Sequence, residues 1–315
     1  MDRREALKTM ALGAAAGAVS LNSMLARAQN AARVPLGIQF FTFVGRNGAA
    51  MGWQKYTEAL AVPAQIGYDG IELAGFSGYS PDMIRQRAEA LNLEIPSVHC
   101  GFDQVFPFLP PASEMGPDSF SQAQDVVYSP VGVEQIARSM AGQVRDVGAQ
   151  FLTIAGGGRR NFETLDNVLA FAEGMNAANR YAREKGLTLS FHPHAPEFTP
   201  IDGQVPFDLI VQNTEANIRY EIDLYWSTLG GGDGGPVEVI NRHADRIAMF
   251  HLKDMDQDGK IATPGAGTLD FAAIKQAAMK VDSPYFFVER DGATDPVATA
   301  REAYQYLSSL GYGLA

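Results

Sequence analysis

The sequence predicts an α/β fold, a (β/α)8 TIM barrel in a single domain, and three observations predict it. Short apolar runs alternate with amphipathic stretches throughout, which implies parallel strands joined by right-handed helical crossovers. Eight such units fit into a little under 290 residues, as a closed barrel requires. No Gly-x-Gly-x-x-Gly follows the first strand to favour the alternative, a doubly wound sheet.

The first strand is read over 36–43, followed by a helix over about Lys55 to Ile66. The second is 70–73, with a helix from Ser80-Pro81 to Leu91 in which Ser caps and Pro takes the first turn. The third covers 95–99. The Pro- and Phe-rich stretch from Gly101 to Ser129 reads as a lid or rim loop. Strands four to eight are placed at 150–155, 187–192, 218–223, 246–252 and 285–289. A long helix after strand four ends near Lys185-Gly186, and a last helix runs from Asp295-Pro296 to about Leu310. Gly230 to Gly235, with Asp233, reads as a mobile loop after strand six.

Residues 1–30 are set aside as a signal peptide, leaving 31–315 as the barrel domain. Arg3-Arg4 precedes a soft apolar run from Met10 to Leu21, and Ala26-Arg27-Ala28 offers a cleavage site near Ala28. This pattern looks like a twin-arginine signal, so export in the folded state to the periplasm through that machinery is expected. The run is too short and too rich in Ala and Gly for a membrane span, and no stable membrane insertion is expected after processing.

A hydrophobic content of 46% and a charged content of 19% suit a well-cored enzyme. The formal charge of −11, near −13 once residues 1–28 are removed, argues against nucleic acid and anionic membranes as partners. The single Cys100 excludes an intramolecular disulfide.

Barrel strands are covered on both faces and should be apolar. Yet the predicted strands end in Glu72, His99, His192, Asp223, His251 and Glu289, at the C-terminal ends where such barrels build their sites. Unpaired, each would cost about 1–3 kcal/mol, and a shared cation removes that cost. Strands five to eight supply His192, Asp223, His251 and Glu289. Mixed nitrogen and oxygen ligands suit Mn²⁺, Co²⁺, Zn²⁺ or Fe²⁺ better than Mg²⁺.

The segments 66–73, 191–198, 222–226, 251–254, 265–270 and 288–291, in this order, resemble the xylose-isomerase-like barrel superfamily of sugar phosphate isomerases and epimerases. The resemblance implies one divalent metal held by His192, Asp223, His251 and Glu289, and a small carbohydrate substrate. Many members carry Glu where this chain has His192 and use it with the strand-eight Glu as an acid/base pair. That two-carboxylate shuttle does not transfer unchanged.

Proton removal beside a carbonyl needs a base and stabilisation of the enediolate charge. Glu289 is the candidate base, through its second oxygen. Lys253 is the candidate to polarise or protonate a substrate oxygen; the alternative is a surface lysine paired with Asp254. His194, two residues from His192, serves as substrate contact, proton carrier or support. Glu197 is a mouth carboxylate or a loop acid. Glu72 and His99, opposite the metal side, bind substrate hydroxyls or make structural hydrogen bonds. Trp226 and Phe41 stack on a sugar or belong to the core. Gly156-Gly157-Gly158-Arg159-Arg160 cradles an anion or only permits a turn.

The expected activity is metal-dependent sugar isomerisation or epimerisation. A lyase, hydratase or dehydratase acting on a keto-sugar or its glycoside is the second expectation, and a non-catalytic sugar-binding barrel the third. Export disfavours a phosphorylated substrate.

Overall fold

A computed structural model describes residues 34–45, 51–101, 116–231 and 234–313. The expected signal peptide with its cleavage site, residues 102–115 of the 101–129 segment and Asp233 lie outside the described residues.

Eight parallel strands form the barrel: β1 Leu36–Gln39, β2 Gly70–Glu72, β3 Ser97–Cys100, β4 Phe151–Ala155, β5 Thr188–His192, β6 Arg219–Asp223, β7 Ile247–Leu252 and β8 Tyr285–Val288. They pair in the order β2-β1-β8-β7-β6-β5-β4-β3. β2 and β3 meet through parallel bridges at Gly70–Glu94 and Leu73–Val98, so the sheet nearly closes on itself. The helices between them are α1 Trp53–Ile66, α2 Pro81–Ala90, α3 Pro130–Asp146, α4 Leu165–Glu184, α5 Pro206–Asn213, α6 Pro236–His243, α7 Phe271–Ala278 and α8 Pro296–Ser309. Every predicted strand is present, and the expected cap holds, with Ser80 Oγ accepting from the Met83 amide.

Two stretches differ from the sequence reading. The first strand stops at Gln39, and Phe41–Val44 coils into one helical turn, carrying Phe41 to the cavity. The helix Pro117–Val127 replaces the later part of the expected rim loop, because a Pro at its first turn and an apolar stripe make it amphipathic.

The main core fills the space between strands and helices, where fully buried Phe171, Phe191, Phe207, Phe250 and Phe286 lie. Each such ring contributes roughly 1.5–3 kcal/mol through apolar burial. A second cluster of Ala248, Met249, Tyr285 and Phe287 plugs the barrel itself. A Cβ on Gly37 would stand 2.7 Å from the Phe287 ring, so only glycine lets that ring cross the barrel. The site rests on this apolar floor.

Candidate active site

The site owes its aim to a slip between β6 and β7. Tyr220 pairs with Ile247 but Glu221 with Met249, which leaves Ala248 as an extra residue. Side chains alternate along a strand, so in plain register Phe250 would sit beside Asp223 and His251 would face the helices. The bulge sets Asp223 opposite His251, and β8 continues the row with Phe287 opposite His251.

Asp223 is the N-cap of the short helix Leu224–Leu229, its Oδ1 accepting from the Trp226 amide at 2.9 Å. That bond holds the carboxylate with Oδ2 buried and without a well-formed hydrogen bond. His251 Nδ1 lies 3.8 Å from this Oδ2 and 2.8 Å from Glu289 Oε2. Asp223, His251 and Glu289 thus bring three ligand atoms within 4.8 Å of one another. Donors around one divalent ion at about 2.1 Å stand roughly 3 Å apart, so these three fit one. His192 Nε2 is 4.0 Å from Asp223 Oδ2, while its Nδ1 turns to Glu221. Three of the four expected ligands form one set, and His192 sits at its edge.

Below them lies a paired layer. Glu72 Oε2 accepts from Gln39 Nε2 at 2.7 Å and from His251 Nε2 at 2.6 Å, and His99 Nε2 stands 3.2 Å away. Glu221 Oε2 accepts from His99 Nε2 at 2.7 Å and lies 3.2 Å from His192 Nδ1. The His99 ring stacks on His251 at 5.2 Å. His99, His192, Glu221 and His251 form a second group of donors within the same span.

Charges here shift strongly. Burial opposes every ion, but the facing carboxylates win at His99, raised to about 9, and hold His251 well above its usual range. Against the same burial, His251 and the hydrogen bonds of the imidazoles lower Glu221 to about 2. His99 and His251 hold Glu72 below the usual carboxylate range. Burial makes the opposite choice at His192, which is pushed far down, and at His194, lowered to about 3 with Lys253 adding to the effect.

Of its two expected roles, Glu72 makes structural hydrogen bonds: it is fully buried, is not part of the cavity lining, and reaches across from β2 to His251 on β7. It orients the imidazole: with Nε2–H held by Glu72, Nδ1 faces Asp223 and Glu289. Glu197 is likewise buried away from the cavity lining, with burial raising it to about 7.

Lys253 corrects the surface alternative. It is 2% exposed, and Nζ lies 2.6 Å from Glu289 Oε2, 3.1 Å from Asp223 Oδ2 and 3.2 Å from Asp291 Oδ2. Asp254 instead accepts from the amides of Met255, Gly265, Gly267 and Leu269, and so fastens the loop beyond the short hairpin Asp254–Met255 and Ile261–Ala262.

A cavity of about 520 Å³ opens above, lined by Phe41, His99, His192, His194, Trp226, Lys253, Glu289 and Asp291 among others. β5 ends at His192, so His194 is not on a continuing strand; it begins the short helix Ala195–Phe198 and packs against Trp226 at 5.1 Å. Gly156, at φ +80°, would drive a Cβ to 2.6 Å from His194 Nδ1, so the glycine segment permits this approach. Arg159 and Arg160 point away to Glu163 and Asp125.

Sequence reasoning missed Glu221 and Asp291. Each lies two residues from a named ligand, and that spacing was the available signal.

A family model described as xylose isomerase-like TIM barrel matches residues 60–310. The chain belongs to that family. It is 27% identical over 168 residues to an inosose dehydratase of Geobacillus kaustophilus, covering 46% of this chain. The match spans about half (53%) of that relative's length. Among solved structures, a sugar phosphate isomerase/epimerase of Parabacteroides distasonis superposes with a TM-score of 0.70 at 21% identity, over 87% of this chain and 98% of that one. The 3-keto-D-glucoside 4-epimerase of E. coli gives 0.56 at 15% identity, over 88% and 100%. At such identities the superpositions speak for the fold.

Proposed function

We propose that the protein is a divalent-metal-dependent enzyme that removes the proton beside the carbonyl of a sugar-like substrate, with loss of water as the outcome. The observation that carries this reading is the convergence of Asp223, His251 and Glu289 at the floor of a cavity that also presents Lys253, Asp291 and His194. An ion held there by these three, with His192 beside them, supplies Lewis acidity to a carbonyl oxygen and steadies the negative charge that builds on it.

The other parts belong to the chain. Glu289 is held ionised by Lys253 and His251, which weakens it as a base. Asp291 is better matched: burial and the neighbouring Glu289 raise it to about 6, near the working range of a proton carrier. Lys253 Nζ donates to a substrate oxygen. Trp226 offers an apolar face for a sugar ring.

Among the described residues lining the cavity, the carboxylates are Glu289 and Asp291, and the former belongs to the metal set. Elimination of water needs one base; the similarity to inosose dehydratases agrees with it. Isomerisation or epimerisation is the second reading. It calls for a second polar group beside the reacting carbon, and His194 lines the same cavity as a neutral hydrogen-bonding imidazole, weak as a base because burial lowers it to about 3.

Incubating Mn²⁺-loaded protein with inososes, ketohexoses and 3-keto-glucosides in deuterated water separates the two. Loss of water supports the first reading. Deuterium in an otherwise isomeric product supports the second, and neither event with any substrate overturns both. Export through the twin-arginine route is proposed from residues 1–28 and is checked by fractionating cells expressing the Arg3→Lys/Arg4→Lys variant.

A further inference from the structure

At the cavity floor one ammonium faces three carboxylates. Lys253 Nζ lies 2.6 Å from Glu289 Oε2, 3.1 Å from Asp223 Oδ2 and 3.2 Å from Asp291 Oδ2, and its charge is withheld from water. The first two oxygens are also those that face His251 Nδ1, at 2.8 and 3.8 Å, so an ion held by the three residues would use them. We infer that Lys253 is a built-in counter-cation that competes with a divalent ion for Asp223 and Glu289, so that metal loading drives its ammonium off both oxygens toward Asp291 and the cavity. This rests on the metal reading above.

Two buried like-charged carboxylates repel strongly in a low-dielectric pocket, and a cation must stand between them. Only one cation can use the same lone pairs. The lysine can yield because its four-carbon stem is flexible and its ammonium keeps donors in any rotamer. It also has somewhere to go. Asp291 is its third partner, 29% exposed at the side chain, and the Trp226 ring lies 5.4 Å from Nζ. Both line the cavity. The displaced ammonium would then stand where a substrate oxygen arrives, which couples metal loading to the aiming of the donor. Lys253 is in this sense both a placeholder and a switchable donor.

The test needs no turnover. Full-length wild-type protein, chelator-treated or Mn²⁺-loaded, is exposed to acetic anhydride, and acetylation at Lys253 is quantified by peptide mass spectrometry. Labelling of Lys253 is expected to rise about tenfold or more with Mn²⁺, while other lysines stay constant; unchanged or slower labelling overturns the inference. In parallel, Lys253→Met and Lys253→Gln are titrated with Mn²⁺ by calorimetry. Binding about tenfold tighter than wild type is expected, with a lowered melting temperature after chelation that Mn²⁺ restores. Equal or weaker binding in both overturns it. Should wild-type protein take up no divalent ion, the metal reading fails and this inference with it. Normal uptake with unchanged Lys253 labelling removes the counter-cation alone.

Discussion

The lower and upper halves of the polar interior balance charge differently. Below, Glu72 and Glu221 face His99 and His251, and the imidazoles take up protons to match the carboxylates. Above, Asp223, Glu289 and Asp291 share the ammonium of Lys253, and Glu289 also takes the Nδ1 edge of His251 at 2.8 Å. The lower layer is close to neutral and rigid by its own hydrogen bonds; the upper has carboxylate charge to spare. What differs is the number of cationic partners per carboxylate, and that marks the upper half as the place for a cation and the lower half as its support.

The sharpest way to break this contrast is to remove a ligand above. Asp223→Ala is expected to lose bound metal by elemental analysis and to lower turnover by roughly 10²–10³-fold, as loss of a main source of charge stabilisation does. Equal metal content in variant and wild type would undo the ligand set. A smaller effect follows from disturbing the support below. Glu72→Gln keeps shape but removes the charge that fixes the His251 tautomer, so metal affinity should weaken by about 10–100-fold. Titration with a metallochromic competitor reads this, and unchanged affinity would make Glu72 purely structural.

The smallest effect is the pH dependence of stability in chelated protein. His99, raised from 6.5 to about 9, stabilises fully below pH 6.5 and loses that contribution as pH climbs through 9. Glu221, lowered from 4.5 to about 2, stabilises above pH 4.5 and loses it as pH falls. His194, lowered to about 3, costs stability as pH falls below 6.5, while Glu197, raised to about 7, costs it as pH rises from 4.5, so the two oppose each other between those values. The melting temperature should therefore be highest between about pH 4.5 and 6.5 and fall by roughly 5 °C toward pH 9. His99→Gln should flatten the alkaline limb, and a limb of unchanged slope would put the titration elsewhere.

The strand-ending positions of Asp223, His251 and Glu289 were readable because polar side chains stand out at the ends of apolar runs. Glu72 was found with two roles left open, substrate contact or structural hydrogen bonding, since the sequence cannot tell which way across a closed barrel a side chain reaches. Lys253 was named as a donor, with a surface pairing to Asp254 as the alternative; that alternative falls because the Asp254 carboxylate is taken by four amides and the partners of Lys253 come from β6 and from beyond β8. Glu221 was missed because it lies inside a strand and not at its end, although its spacing of two from Asp223 puts it on the same face.

Alone, the sequence determined eight strand–helix units, the Ser80 cap and the ring of polar strand ends, because periodicity, capping and apolar runs are local properties of the chain. Tertiary structure decided the extra residue at Ala248 that turns His251 inward, the pairing of Glu72 and Glu221 with imidazoles from other strands, and the seat of Lys253 among three acids. Each of these depends on distances between atoms far apart along the chain, and only closure of the barrel sets such distances.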